Sequence, residues 1–105
     1  MPIHSATLTT DGTTTIQVLP DDRSRRWYVI QNRATDAQEI GPSTLTGGGD
    51  GLFLSPDAMG DGSGGRLEVR QGHENDKTPC HAVYAYGQGS GGSLQVIWAT
   101  EDSTD

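Results

Sequence analysis

The stretch Trp27-Tyr28-Val29-Ile30-Gln31-Asn32 decides the fold class. Its first four residues are aromatic or β-branched, the side chains that suit a pleated, half-buried surface. Apolar groups fall on both of its faces, which predicts a central strand with cover on each side. Upstream, residues 13–19 alternate, with Ile16 and Val18 on one face, until Pro20-Asp21-Asp22 ends them with turn chemistry. Downstream, residues 38–41 make a brief strand stopped by Pro42, and residues 66–70 set Leu67 and Val69 on one face. Residues 80–86 and 93–100 form a closing pair, the last containing Leu94-Gln95-Val96-Ile97-Trp98. Gly or Pro breaks every window long enough for a helix. The reading is all-β: a single small β-sandwich or flattened barrel of about seven short antiparallel strands with long Gly-rich loops.

One face of each alternating strand must leave water. The predicted core is therefore Ile16, Val18, Tyr28, Ile30, Leu67, Val69, Val83, Leu94, Val96 and Trp98. Between the strands lie GGGDG at residues 47–51, GDGSGG at 60–65 and GQGSGG at 87–92, all turn or loop chemistry. Leu52, Phe53 and Leu54 interrupt the longest polar passage; two readings stay open, an apolar hook reaching outward or one more core strand. The chain divides into an N-terminal arm at 1–12, a β-domain at 13–100 and a disordered tail at 101–105. The arm has little apolar content beyond Ile3 and Leu8, so it is expected to order by adding to an exposed strand edge, as in β-augmentation.

A chain of 105 residues has no room for two independent cores. Fourteen acids against seven bases give a net charge of −7, a surface that repels polyanions. Nucleic acid and anionic membranes are thus not expected partners. Arg23, Arg25 and Arg26 follow Asp21 and Asp22, which reads as a locally neutralised turn rather than a phosphate site. No apolar run approaches the ~20 residues that span a membrane, and no leader pattern is visible, so synthesis in a host cytoplasm is expected.

Catalytic chemistry finds little footing. Cys80 is the single cysteine, and its neighbour His81 would point to the opposite face of a strand. Gly60-Asp61-Gly62-Ser63-Gly64-Gly65 is similar to the nucleophile turn of chymotrypsin-like proteases, but Gly62 separates the acid from the serine and would misplace the oxyanion donors. Asp50, Asp57, Asp61 and Ser63 lack the spacing and distal carboxylate of a calcium loop. His4, His73 and His81 lie too far apart in sequence to suggest a zinc site. No catalytic, cofactor-binding or metal residue is assigned, and no cofactor is expected.

Residues 14–33, TTIQVLPDDRSRRWYVIQNR, resemble small β-domain structural proteins of tailed bacteriophages. There, an alternating strand ends in a turn, a basic pair follows, and the next strand ends in IQN. Ile40-Gly41, the apolar residues 52–54, Ala82-Val83-Tyr84-Ala85 and the closing strand extend the resemblance over about residues 13–101. It implies a non-enzymatic virion protein, most specifically a capsid decoration (cement) protein on the outer capsid surface, with the major capsid protein as partner. Capsid-contact candidates are Ile3, Leu8, Leu52, Phe53 and Leu54. Trp27, Tyr84 and Tyr86 are oligomer-interface candidates, since so small a domain cannot cover every aromatic itself. A homo-oligomer is expected, a trimer if the protein sits at three-fold positions. The alternative is a host-surface or carbohydrate-binding module of a fibre or tail component, using Tyr84, Tyr86 or Trp98.

Overall fold

Eight strands form in chain order: β1 (Ile3–Thr10), β2 (Ile16–Leu19), β3 (Arg25–Asn32), β4 (Gln38–Gly41), β5 (Leu52–Leu54), β6 (Arg66–Arg70), β7 (Val83–Gly87) and β8 (Gly92–Thr100). A 3-10 turn, Thr78–Cys80, precedes β7. The computed structural model describes residues 2–57, 59–72, 76–89 and 92–101. Two antiparallel four-stranded sheets result, ordered β1-β8-β3-β6 and β2-β7-β4-β5. The all-β sandwich follows from the alternation. Tyr28 and Ile30 of β3, Leu94 and Val96 of β8, Val83 and Ala85 of β7, and Ile40 of β4 turn inward to one cluster.

All ten predicted core residues belong to that cluster or pack against it; Ile16, Leu67, Val69 and Trp98 do so half-buried. Leu19 joins them because a bulge between Gln17 and Leu19 lets β2 bury both Val18 and Leu19. Asn32, fully buried at the end of β3, ties the sheets to the loops: its amide nitrogen donates to the carbonyls of Asp36, Leu54 and Ser55 at 2.9–3.1 Å. Inward-facing Gln38 is a further fully buried polar side chain. Its Oε1 accepts from Thr10 Oγ1 at 2.9 Å, while its Nε2 has no partner among the described residues.

Residues 80–86 and 93–100 do not pair with each other: β7, which starts at Val83 after the 3-10 turn that holds Cys80, joins β2 and β4 in the second sheet, and β8 joins β1 and β3 in the first. Four further expectations need correction. The segment read as an arm is, over Ile3–Thr10, an edge strand of the domain, paired residue for residue with β8 from Ile3↔Ala99 to Thr10↔Gly92. Backbone pairing, not apolar content, holds it, and Leu8 packs against the core rather than lying free for a contact. Second, of the two readings left open for residues 52–54 the strand is the one observed, beside β4, and it buries Leu54 in the core, which removes it as a contact candidate, whereas Leu52 and Phe53 stay exposed. Third, β3 lies centrally within its sheet, but among the described residues a second sheet packs on one of its faces only. Lastly, the start of the expected tail is anchored: Glu101 N–H donates to Ser24 O at 2.7 Å and its carboxylate pairs with Arg26. Residues 102–105 lie outside the described residues.

Candidate functional site

On the first sheet, residues that are in register and point away from the core make a continuous face. Across the sheet the rows run Ile3–Ala99–Trp27–Arg70, then Ser5–Ile97–Val29–Glu68, then Thr7–Gln95–Gln31–Arg66. The first two rows hold an apolar band flanked by charge on the β6 side. Ile3 is 67% and Ile97 38% exposed, while Trp27 and Val29 are half-buried. Ala99, flanked by Ile3 and Trp27, is fully buried although it lies on the outer side. Two sequence-level candidates from different classes, Ile3 and Trp27, thereby come onto one surface.

A second apolar feature opens between the sheets on their β5–β6 side. It is a groove of 270 Å³ where Leu52 meets Tyr28, Ile40, Leu67, Val69 and Val83. The short β5 leaves this end of the core without full cover. Phe53, in register with Glu39, faces outward from the same strand.

The remaining aromatic candidates have partners within the chain. Tyr86 donates its hydroxyl to Gly12 O at 3.0 Å, and its ring lies against Gly47 so closely that a Cβ there would sit 2.4 Å from Cε1. Only glycine fits, and its φ of +81° is equally demanding. Tyr84 accepts a hydrogen bond from Gln17 Nε2 at 3.2 Å. His4 stacks on Trp98 with ring centroids 5.3 Å apart and 24° between planes, and its Nε2 lies 3.1 Å from Thr100 Oγ1.

Sequence reading missed the cover of the second sheet. Residues 42–51 fold over that sheet's outer face, with Leu45 buried beneath them. Glu39 points outward from β4 yet is fully buried. Its Oε1 accepts the N–H groups of Gly49 and Gly51 at 3.1 and 3.2 Å, and Oε2 accepts from the Gln88 amide. The glycines supply unhindered backbone donors to a carboxylate, and no local pattern around Glu39 marks it as that anchor.

The groups weighed for chemistry are engaged by the chain itself. A cleft of 530 Å³ is lined by Asp21, Asp22, Arg23, Lys77, Cys80 and His81. The buried Cys80 thiol points at the carbonyls of Arg23 and Arg25, each at 3.5 Å. Asp21 Oδ1 accepts Ala82 N–H at 2.9 Å. Asp22 Oδ1 accepts both the hydroxyl and the N–H of Ser24, bonds that hold its carboxyl below the usual carboxylate range against the opposing effect of burial. Buried Arg25 donates to the carbonyls of Pro79, Pro20 and His81 at 2.7–2.9 Å, which makes it a brace for the turns.

In the 55–65 loop, Asp57 is buried and accepts the N–H groups of Asp61 and Gly62, while Asp61 accepts that of Ser63 at 3.0 Å. Hydrogen bonds from Ser63 hold the Asp61 carboxyl below its ordinary range. The N–H groups that a serine nucleophile would want for an oxyanion are therefore turned to carboxylates. Among the described residues no three His, Cys, Asp or Glu side chains converge on a common point. His73 lies outside the described residues. No described helix is long and apolar enough to cross a membrane. Compared with known proteins, the chain matches no family model and no curated sequence.

Proposed function

We propose that this chain is a non-enzymatic structural protein of a tailed-phage particle, a decoration protein that docks on the outer capsid and reinforces contacts between major capsid protein subunits. The observation that carries the reading is the outer face of the first sheet, where Ile3, Ile97, Trp27 and Val29 form an apolar band that no loop among the described residues covers. A band of this kind, rimmed by Arg66, Glu68 and Arg70, has the anatomy of a protein-docking surface: an apolar centre with a charged margin. Burying it against a capsid would stabilise the complex by about 25 cal/mol per Å² of apolar area, and many copies multiply a modest contact.

The resemblance at residues 14–33 supplies the virion context, and the engagement of Cys80, Asp57 and Asp61 by backbone groups is in keeping with a product that is a surface. The carbohydrate-binding alternative has weaker support. Sugar stacking needs an open aromatic face, but His4 lies on Trp98 and Gly47 lies on Tyr86. Counting the chain in purified particles by quantitative mass spectrometry tests the proposal. Decoration requires on the order of hundreds of copies per particle, as avidity from repetition demands. A dozen or fewer, on the order expected for a fibre or tail part, would favour the alternative, and absence from particles would refute both.

A further inference from the structure

The sandwich has four strand edges: β1 and β6 on the first sheet, β2 and β5 on the second. Three are blunted by means that natural sheets use against unwanted pairing. β5 has only three residues. β2 has four and carries the bulge between Gln17 and Leu19. β6 alternates charge outward through Arg66, Glu68 and Arg70. β1 has none of these protections. It runs eight residues in unbroken register with β8 and contains no Asp, Glu, Lys, Arg, Pro or Gly. No strand lies along its other side among the described residues.

We infer that β1 is where two copies of this chain meet, by antiparallel pairing of β1 with β1 of a second copy about a two-fold axis, joining two four-stranded sheets into one of eight. The self-complementary sequence of β1 suits a second copy, and charge selects this edge over β6 for it. Each chain carries −7, so two copies approach best where neither brings charge to the seam. A two-fold antiparallel pair sets each strand against its own reverse. On β6 that would place Arg66 opposite Arg70 and Glu68 opposite Glu68, like charges in direct apposition.

On β1, centred on Thr7, it places Thr7 opposite Thr7, Ser5 opposite Thr9, and Ala6 opposite Leu8. Hydroxyls meet hydroxyls on the outer side and apolar groups meet on the inner side. Because paired positions share parity, both sheets keep their outer faces on the same side, so the two apolar bands end up on one surface. Such an interface is isologous and closed, a two-fold in place of the three-fold expected from capsid positions. The inference rests on the reading of the chain as a protein that works by association, and deepens it.

Sedimentation equilibrium of the purified chain over a concentration series tests the pairing, with S5K/T7K as the variant. The added lysines lie on the outer side of β1, where Lys faces Lys across the axis. The wild type should sediment as a dimer, and the variant should dissociate with Kd raised about tenfold or more while its thermal transition stays close to wild type. Hydrogen exchange on the wild type gives a readout that needs no variant: alternate β1 amides, those turned away from β8, should be protected at high concentration and exchange on dilution. A wild type that is monomeric throughout, a dimer that S5K/T7K leaves intact, or protection that appears at β6 would each overturn the inference. So would a monomer whose β1 becomes protected only when particles are added, since that marks another protein's strand as the occupant. A monomer that still binds particles leaves the decoration reading standing, and a dimer absent from particles leaves the pairing standing.

Discussion

The two outer faces of the sandwich are built alike and finished differently. Each presents aromatic side chains on a pleated sheet, Trp27 on the first and Tyr84, Tyr86 and Phe53 on the second. On the second sheet the chain lays its own residues 42–51 across the face, burying Leu45 and fastening the loop to Glu39 through the N–H groups of Gly49 and Gly51. On the first sheet nothing in the described residues does the same, and Ile3, Ile97, Trp27 and Val29 face outward as one band. The contrast teaches that apolar content does not decide which face a small sandwich covers. On the second sheet the buried Glu39 carboxylate fastens a run of glycines across the face, whereas on the first the outward Gln31 holds the 55–65 loop at one point only, through Gly62 O at 2.7 Å. The band of Ile3, Ile97, Trp27 and Val29, which no described loop is fastened across, is the part available to a partner.

Removing residues 1–10 breaks this comparison most severely. It takes away the whole β1–β8 ladder and the packing of Leu8 against the core, and turns β8 into an edge. A domain this small has roughly 5–10 kcal/mol of stability in total, and we expect the truncated chain to lose its cooperative urea transition. A truncated chain that unfolds like the full one would show β1 to be an appendage after all.

Gly47→Val attacks the covered face alone. The new side chain would enter the Tyr86 ring at a φ of +81°, and overpacking of this kind costs about 1–3 kcal/mol. The loss should appear as a lower melting temperature together with faster exchange of the Gly49 and Gly51 amides. An unchanged melting temperature would mean that the loop is not seated on Tyr86.

Much of this architecture was legible in the sequence, and the failures share a cause. β4 and β6 have the bounds that their flanking Pro and Gly residues predict, and β3 and β8 begin one or two residues early. Alternation places Val83 and Ala85 inward and Tyr84 and Tyr86 outward, as observed. β1 escaped because its local sequence is polar and its partner lies at the far end of the chain, Ile3 opposite Ala99. Pairing over that separation leaves no local periodicity to read. The covering loop escaped for a similar reason: GGGDG reads as freedom until Glu39, remote in sequence, supplies an acceptor for its amides. The placement of Ile3 and Trp27 on one face likewise depends on register through β8, which no single segment carries.

The smallest expected effect on stability belongs to the uncovered face, and it is the most telling for function. I3S/I97S replaces two exposed side chains, so the free protein should change by no more than about 0.5 kcal/mol. Co-sedimentation of this variant with particles stripped of the native protein tests the central claim directly. The variant should keep its melting temperature while particle binding weakens at least about tenfold, the loss expected when a few apolar residues dominate an interface. Wild-type binding by the variant, at equal stability, would contradict the assignment of the first sheet's outer face as the docking surface.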